Sequence, residues 1–169
     1  MIKNQREKGF SLIELLIVVA IILIIAAIAI PNLLRARIAA NEASAVGSTR
    51  TLDTAEITYS STYGTGFAPL ASLGGAAPCV AAAATSCLID PVLTLGTKTG
   101  YVVAAVAATG AGTVASPFQT FEVNATPLSV STGTRAFCSD QSGVVRYNTT
   151  GAAIGTGAGN CAAVVTILQ

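Results

Sequence analysis

The sequence predicts an α+β chain in which one long N-terminal helix precedes a small antiparallel sheet. Residues 10–30 are apolar apart from Ser11 and Glu14, and helical spacing of apolar residues continues to about Tyr59. Beyond Gly100 the sequence changes to short runs of aromatic and β-branched residues separated by turn residues, which is the pattern of strands. These patterns indicate one apolar anchor followed by one small domain.

The apolar segment is long enough to cross a membrane once. Its 21 residues, 10–30, would form about 30 Å of helix, which matches the hydrocarbon thickness of a bilayer. The preceding residues 1–9 contain three basic residues and one acidic residue, and a positive flank favours the cytoplasmic side. We therefore expect the C-terminus on the opposite side, although Arg35 and Arg37 place positive charge beyond the far end of the segment as well.

Glu14 is a carboxylate at the start of this apolar segment, where an unpaired charge is costly. Insertion scales assign an ionised side chain about +2.5 to +3.5 kcal/mol at the centre of a spanning helix. A secretory signal peptide does not explain the pattern, because the apolar run is too long and the small residue Gly9 precedes it. A plain anchor leaves Glu14 unexplained unless its side chain extends to the headgroups. The third interpretation is a cut between Gly9 and Phe10, with the apolar helix kept in the mature chain.

Residues 8–15, with the sequence Lys-Gly-Phe-Ser-Leu-Ile-Glu-Leu, resemble the prepilin motif of type IV pilins and of type II secretion pseudopilins. The resemblance extends through Pro31 and covers roughly the first 60 residues. It implies cleavage after Gly9 by a prepilin peptidase, N-methylation of the new terminus at Phe10, and pairing of Glu14 with the terminal amine of a neighbouring subunit. It also implies the pilin lollipop fold, a long helix packed on a small antiparallel sheet, with a segment near Pro31 that can lose helical form in filaments.

The chemistry of a pair between Phe10 and Glu14 agrees with that implication. Cleavage would create an amine one helical turn from Glu14, so the two groups could pair within one chain or between adjacent copies. A pair between copies neutralises two charges that are costly in an apolar environment, and it can fix the axial register of the subunits. Pro31 removes a backbone donor from the helix and predicts a kink or local melting there.

Residues 31–60 are predicted to continue the helix as an amphipathic half. Its apolar stripe comprises Leu34, Ile38, Ala45, Leu52 and Ile57. The charged residues are assigned to the other faces, namely Arg35, Arg37, Glu42, Arg50, Asp53 and Glu56. The predicted division of the chain is a leader peptide at 1–9, a transmembrane and filament-core helix at 10–30, the amphipathic half at 31–60, a connecting loop at 61–99, and a sheet domain at 100–169.

The loop 61–99 is rich in Gly and Pro, with one short helix predicted near Pro69–Leu73. Strands are predicted at 101–107, 118–124, 134–139 and 143–147, with the tail 151–169 as a candidate edge strand. A tight turn is expected from Asp140 to Gly143.

Alternation along the strands assigns Glu122 and Asp140 to exposed positions. Three aromatic residues are expected to pack beneath the sheet: Tyr59, Tyr63 and Phe67.

The four cysteines all lie on the exported side, which predicts disulfides. Four cysteines allow three pairings, and we favour the two pairs formed by sequence neighbours, Cys79–Cys87 and Cys138–Cys161. The second pair resembles the bridge that closes the C-terminal region of many type IV pilins, whereas the first is outside that common pattern. Zinc is a weak rival, because the sequence has no histidine and no C-x-x-C pair.

Composition argues against an enzyme. The chain has no histidine, only 10% charged residues and a net charge of +1, and it contains no nucleotide-binding or hydrolase motif. We therefore expect no catalytic residue and no cofactor. Asp140 alone falls far short of the oxygen ligands that calcium requires, so no metal is expected, and the lack of a large basic field argues against nucleic acid as a partner.

The sequence and the resemblance together predict a structural subunit, a major pilin that polymerises through its N-terminal helix into a type IV pilus. The implied partners are other copies of the chain, a prepilin peptidase that also methylates the terminus, and an inner-membrane assembly platform with its ATPase. The subunit would wait in the bacterial inner membrane with its C-terminus in the periplasm and then join an extracellular pilus. The alternatives are the major pseudopilin of a type II secretion system and a minor tip pilin or adhesin.

Overall fold

The computed structural model describes residues 10–155, 157, 159–164 and 166–168, so the predicted leader, with Gly9, lies outside the described residues. Backbone contacts divide the chain into two units, Met1–Ala36 and Arg37–Gln169. One helix, α1 (Leu12–Tyr63), begins in the first unit and ends in the second. The predicted long N-terminal helix is therefore present.

In the first unit, α1 is apolar on all sides and helical throughout. Pro31 lies inside α1, and the residues before and after it are helical, so the local melting predicted there is not seen. Proline removes only one backbone donor. The carbonyl of Ala27 loses its usual partner for that reason, while the helix on either side is retained.

The second unit contains a five-stranded antiparallel sheet, which confirms the predicted sheet. The strands neighbour one another in chain order, so the sheet is a simple meander. They are β1 Thr97–Lys98, β2 Tyr101–Ala108, β3 Thr120–Pro127, β4 Ala136–Asp140 and β5 Arg146–Asn148. Strands β2 to β5 overlap the four predicted strands, whereas β1 was not predicted because two residues carry no periodic pattern.

Two short helices interrupt the connection between α1 and the sheet. Helix α2 (Leu70–Leu73) lies where the sequence predicted a helix, whereas α3 (Pro91–Thr94) was not predicted. Asp90 caps α3, since its Oδ1 accepts a hydrogen bond from the Leu93 N–H at 2.9 Å. Within the described residues of the C-terminal tail, Ile167 forms an isolated antiparallel bridge with Arg146, and no edge strand is present there.

One face of the sheet and the α1 residues of the second unit enclose the main core. Leu52 and Tyr59 of α1 belong to the same buried cluster as Val123 of β3 and Phe137 of β4. The predicted aromatic packing is also present. The rings of Tyr59 and Tyr63 are 4.8 Å apart between centroids, and those of Phe67 and Phe121 are 4.6 Å apart.

The opposite face of the sheet is covered by the C-terminal segment. The Cys161 N–H donates to Glu122 Oε1 at 3.0 Å, and Asn124 Nδ2 donates to the Gly155 carbonyl at 3.2 Å. Glu122 and Asp140 are opposite each other on β3 and β4, and both are buried. The prediction that they are exposed was wrong, because strand alternation does not reveal a later segment that folds over the outer face.

Helix α1 buries charged residues that the sequence assigned to its outer faces. Glu42, Asp53 and Glu56 are at most 8% exposed, whereas Leu34 and Ile57 of the predicted apolar stripe are exposed. The buried stripe of α1 consists of Glu42, Ala45, Ser48, Thr49, Leu52, Asp53, Ala55, Glu56 and Tyr59. The assignment of these carboxylates to outer faces was therefore wrong, since hydrogen-bond donors from distant parts of the chain make some of these buried positions tolerable.

Glu42 joins α1 to the start of β4 through five hydrogen bonds. Its Oε1 accepts from the N–H (3.0 Å) and hydroxyl (2.9 Å) of Thr134 and from the N–H of Arg135 (3.2 Å), while Oε2 accepts from Nε (2.8 Å) and Nη2 (2.6 Å) of Arg135. The guanidinium also lies over the rings of Phe137 and Tyr147. Burial by itself would raise the pKa of Glu42, but these donors and the Arg135 charge lower it overall.

Asp53 and Glu56 lie farther along the buried stripe and are less well satisfied. Glu56 Oε2 accepts from the Ala68 N–H at 2.8 Å. Within the described residues, neither Glu56 Oε1 nor Asp53 Oδ1 has a hydrogen-bond partner. Burial raises the pKa of Glu56 to about 7 and that of Asp53 to about 6, with repulsion from Asp53 and Asp140, respectively, adding to the effect.

Replacing Glu42 with Ala should lower the free energy of unfolding by about 2–4 kcal/mol, because the donors of Thr134 and Arg135 lose their shared acceptor. Urea unfolding of the full-length chain in detergent, followed by circular dichroism, measures the change. Lys98→Gln is the matched control, since it removes only the exposed ion pair with Asp90 and should cost less than about 1 kcal/mol. Equal changes in the free energy of unfolding for the two variants would contradict the claim that the hydrogen bonds of Glu42 stabilise the fold.

The chain should be more stable at pH 5 than at pH 8. Burial raises the pKa of Asp53 from 3.8 to about 6 and that of Glu56 from 4.5 to about 7, so the folded state holds these protons more tightly. The resulting stability is fully present below about pH 4 and is lost progressively until the pH has risen through about 6 to 7. Glu56 alone accounts for a difference on the order of 3 kcal/mol. Its lowered pKa makes Glu42 act in the opposite sense, but only below its unfolded value near 4.5.

Urea midpoints measured between pH 5 and pH 8 test this dependence. Glu56→Gln should flatten it, because the amide does not titrate but keeps an acceptor for the Ala68 N–H. A wild-type chain that gains stability steadily from pH 5 to pH 8 would show the opposite sign and refute the assignment.

Candidate assembly site on the N-terminal helix

The apolar part of α1 is exposed on every face. Between Leu12 and Ile30 every residue is exposed apart from the half-buried Ala26, and the large apolar side chains there are 45–79% exposed. Among the described residues, α1 is the one helix long and apolar enough to cross a membrane. Apolar surface of this extent in water is unfavourable, so this segment requires lipid or other helices around it.

Glu14 closes the N-terminus of α1 in the uncleaved chain. Its Oε2 accepts a hydrogen bond from the Ser11 backbone N–H at 2.9 Å, three residues earlier. The N–H groups of Glu14 and Leu15 in turn donate to the Ser11 carbonyl. Half of a capping box is thereby formed, and a carboxylate in the first turn also complements the helix dipole.

The hydrogen bond between Glu14 and the Ser11 N–H was not predicted from the sequence, although the sequence contains a pattern that indicates it. Ser11-Leu12-Ile13-Glu14 has the spacing of a capping box directly before an apolar run. Glu14 therefore has a hydrogen-bonding role inside its own chain in addition to the predicted role between subunits. The Ser11 N–H occupies only Oε2, so the carboxylate keeps a second oxygen for another partner.

The residues predicted for processing and assembly lie within the first unit. Phe10 is exposed and precedes the first turn that contains Glu14, whereas Pro31 is seventeen residues farther along α1 than Glu14. Gly9, on the other side of the predicted cut, is outside the described residues. Phe10 thus directly precedes Ser11, whose N–H is bonded to Glu14, whereas Pro31 is about 26 Å from Glu14 along the helix.

The predicted cysteine pairs are both formed, and both lie in the second unit. Cys79 and Cys87 are joined within the loop before α3, with 6.0 Å between their Cα atoms, and Cys138 of β4 is joined to Cys161 with 5.7 Å between Cα atoms. The first bridge closes a loop that α1 also holds, since the Tyr59 hydroxyl donates to the Ala83 carbonyl at 2.7 Å. The second fastens the C-terminal segment to the sheet.

The part of the chain that the structure describes has no group of three or more residues suited to hold a metal ion. A cavity of about 390 Å³ lies beside α1 in the second unit. Arg50 and Arg135 line that cavity together with mainly apolar residues. Glu42, which is bonded to Arg135, also lines it.

Comparison with known proteins places the similarity at the N-terminus. Residues 4–30 match the family described as the prokaryotic N-terminal methylation motif. This segment includes the Gly9–Phe10 junction and Glu14, and it ends at Ile30. The chain therefore carries a prepilin-type methylation motif directly on its exposed apolar helix.

Two curated proteins are similar to parts of the chain. The type IV wide pilus major component PilA4 of Thermus thermophilus is 66% identical over 38 residues, which is 22% of this chain and 29% of the relative. The type IV major pilin protein PilA of Myxococcus xanthus is 46% identical over 56 residues, or 33% of this chain and 26% of the relative. The chain thus spans less than a third of the length of either relative, and no solved structure matches it significantly.

Proposed function

We propose that this chain is the major structural subunit of a type IV pilus, and that it polymerises through its N-terminal helix. The observation that carries the proposal is the exposed apolar segment from Leu12 to Ile30, which bears a methylation motif and is followed by a folded, disulfide-bridged unit. A subunit that passes from lipid into a fibre needs such a surface, because each environment can cover it in turn. The names of the two relatives, both major pilus components, favour a fibre over a pseudopilus or a scarce tip protein.

The proposed sequence of events begins with removal of residues 1–9 between Gly9 and Phe10 by a prepilin peptidase, which also methylates Phe10. The subunit waits in the inner membrane through residues 10–30, with the rest of the chain on the periplasmic side. An assembly platform and its ATPase then transfer the helix into the fibre, where other copies replace lipid. Within the fibre, the residues after Ile30 form the outer part of each subunit.

In this mechanism Glu14 gains a second partner. In the uncleaved chain its carboxylate accepts from the Ser11 N–H. Cleavage exposes a cation at Phe10, and in an apolar bundle an ion pair between this amine and Glu14 of an adjacent copy is stronger than either group left unpaired. Stacking of copies at one fixed offset satisfies every such pair except those at the ends, so the pair sets the register of the fibre.

Changing Glu14 to Gln separates its charge from its capping bond. Glutamine keeps an acceptor for the Ser11 N–H but cannot neutralise an amine, whereas Glu14→Val loses both functions. Both variants should insert into membranes as the wild type does, and both should reduce sheared fibre at least tenfold, since about 1.4 kcal/mol corresponds to tenfold. Wild-type fibre yield from a strain carrying only Glu14→Gln would show that the charge does not set the register.

Replacing Gly9 with Val should leave the leader attached, because a bulky side chain occupies the position before the cut. Mass spectrometry of the membrane fraction would then show a chain that begins before Phe10 and carries no N-methyl group. Gly47→Ala is a suitable control for processing, since a Cβ at Gly47 meets nothing within 4 Å. A mature terminus at Phe10 in the Gly9→Val strain would overturn the cleavage assignment.

A further inference from the structure

Two arginines follow the apolar segment on the side where positive charge is uncommon. Arg35 and Arg37 come five and seven residues after Ile30, and both are exposed. Neither forms an ion pair with any of the described residues. Positive flanks ordinarily mark the cytoplasmic end of a spanning helix, so arginines at the opposite end indicate a specific interaction at that position.

The other charged residues of the chain do not supply a partner. The chain has eight acidic residues, of which Glu7 belongs to the leader. Five others are buried in the second unit: Glu42, Asp53, Glu56, Glu122 and Asp140. Asp90 is paired with Lys98 at 3.0 Å. Glu14 is exposed, but it lies 21 residues before Arg35 on one helix, a separation of about 32 Å.

The position of the two arginines along α1 corresponds to a headgroup layer. Leu12 and Arg35 are 23 residues apart, or about 35 Å of helix, which exceeds a hydrocarbon core of about 30 Å and stays within the 40–45 Å that includes headgroups. Two residues correspond to about 200° of rotation, so Arg35 and Arg37 project from opposite sides of the helix. Leu33 and Leu34 just before them are 69% and 51% exposed, which suits a boundary between hydrocarbon and headgroups.

We propose that Arg35 and Arg37 bind the phosphates of anionic phospholipids at the outer surface of the membrane that α1 spans. The inference rests on the proposed function, since it requires that residues 10–30 cross a bilayer. A guanidinium presents a planar fork of donors that matches two phosphate oxygens. Arginines on both sides of the helix would hold its depth in the membrane until the subunit is withdrawn into a fibre, and withdrawal would break these contacts.

Lipid selectivity of the full-length chain tests the proposal. The chain is reconstituted in vesicles containing equal amounts of phosphatidylglycerol and phosphatidylcholine, and spin-labelled versions of each lipid report which one associates with the protein. The wild type should prefer phosphatidylglycerol, by up to roughly fivefold for each arginine at low salt. The double variant Arg35→Gln, Arg37→Gln should lose that part of the preference, whereas Arg35→Lys, Arg37→Lys should keep most of it.

Arg50→Gln is the matched control, because Arg50 is also exposed and unpaired among the described residues but lies 20 residues beyond Ile30. It should leave selectivity unchanged. The basic leader contributes equally to the lipid preference of the wild type and of the variants. The test therefore uses the difference in preference between the wild type and each variant. An unchanged preference in the double variant, or one lost equally in Arg50→Gln, would overturn it.

Two further outcomes separate this inference from the proposed function. A loss of selectivity in Glu14→Gln equal to that of the double variant would assign the arginines to the carboxylate of a second copy and refute lipid binding. Failure of the wild-type chain to resist alkaline extraction from the vesicles would mean that α1 does not span, and the proposed function would then fail together with the inference. A chain that spans but shows no effect of the double variant refutes the inference alone.

Discussion

The central constraint on this protein is an apolar helical segment whose side chains have no packing partner within their own unit. From Leu12 to Ile30 the side chains are exposed around the whole circumference of α1. Such a surface is stable only when lipid or other apolar helices surround it. Three features lie at the ends of this segment: the methylation motif, the capping carboxylate and the flanking arginines. Each is explained by the need to cover the apolar surface between them.

The second unit buries five of its six carboxylates, namely Glu42, Asp53, Glu56, Glu122 and Asp140. Glu42 is fully satisfied by Thr134 and Arg135, whereas Asp53 and Glu56 each keep an oxygen without a hydrogen-bond partner within the described part of the chain. Burying acids in this way makes stability depend on pH and leaves little exposed negative charge. Exposed cations on the same helix must therefore find anions elsewhere, in lipid or solvent.

Glu14 shows how one side chain can serve two states of a protein. Before cleavage it is a cap that satisfies the Ser11 N–H, which has no acceptor within the helix. In the proposed cleavage, the same carboxylate would be available to a new cation at Phe10. The hydrogen bond observed in the uncleaved chain thus keeps the first turn of α1 formed and holds the carboxylate near the position where the terminal amine would appear.

The sequence by itself determined the order of a long apolar helix and a small antiparallel sheet, and it predicts a processing site at the N-terminus. The run from Phe10 to Ile30, its single carboxylate, and the alternating segments after Gly100 are local patterns, and local patterns suffice to predict a spanning helix, a processing site and strands. The favoured cysteine pairing also agrees with the structure, since neighbours in sequence close the shortest loops.

Only the tertiary structure decided which faces are buried. Glu42 is buried because donors 92 and 93 residues away converge on it, and Glu122 is buried because the C-terminal segment folds over the outer face of the sheet. Helical and strand periodicity describe a residue relative to its own element. They carry no information about donors that another element brings, and those donors determine whether a carboxylate faces water or the interior.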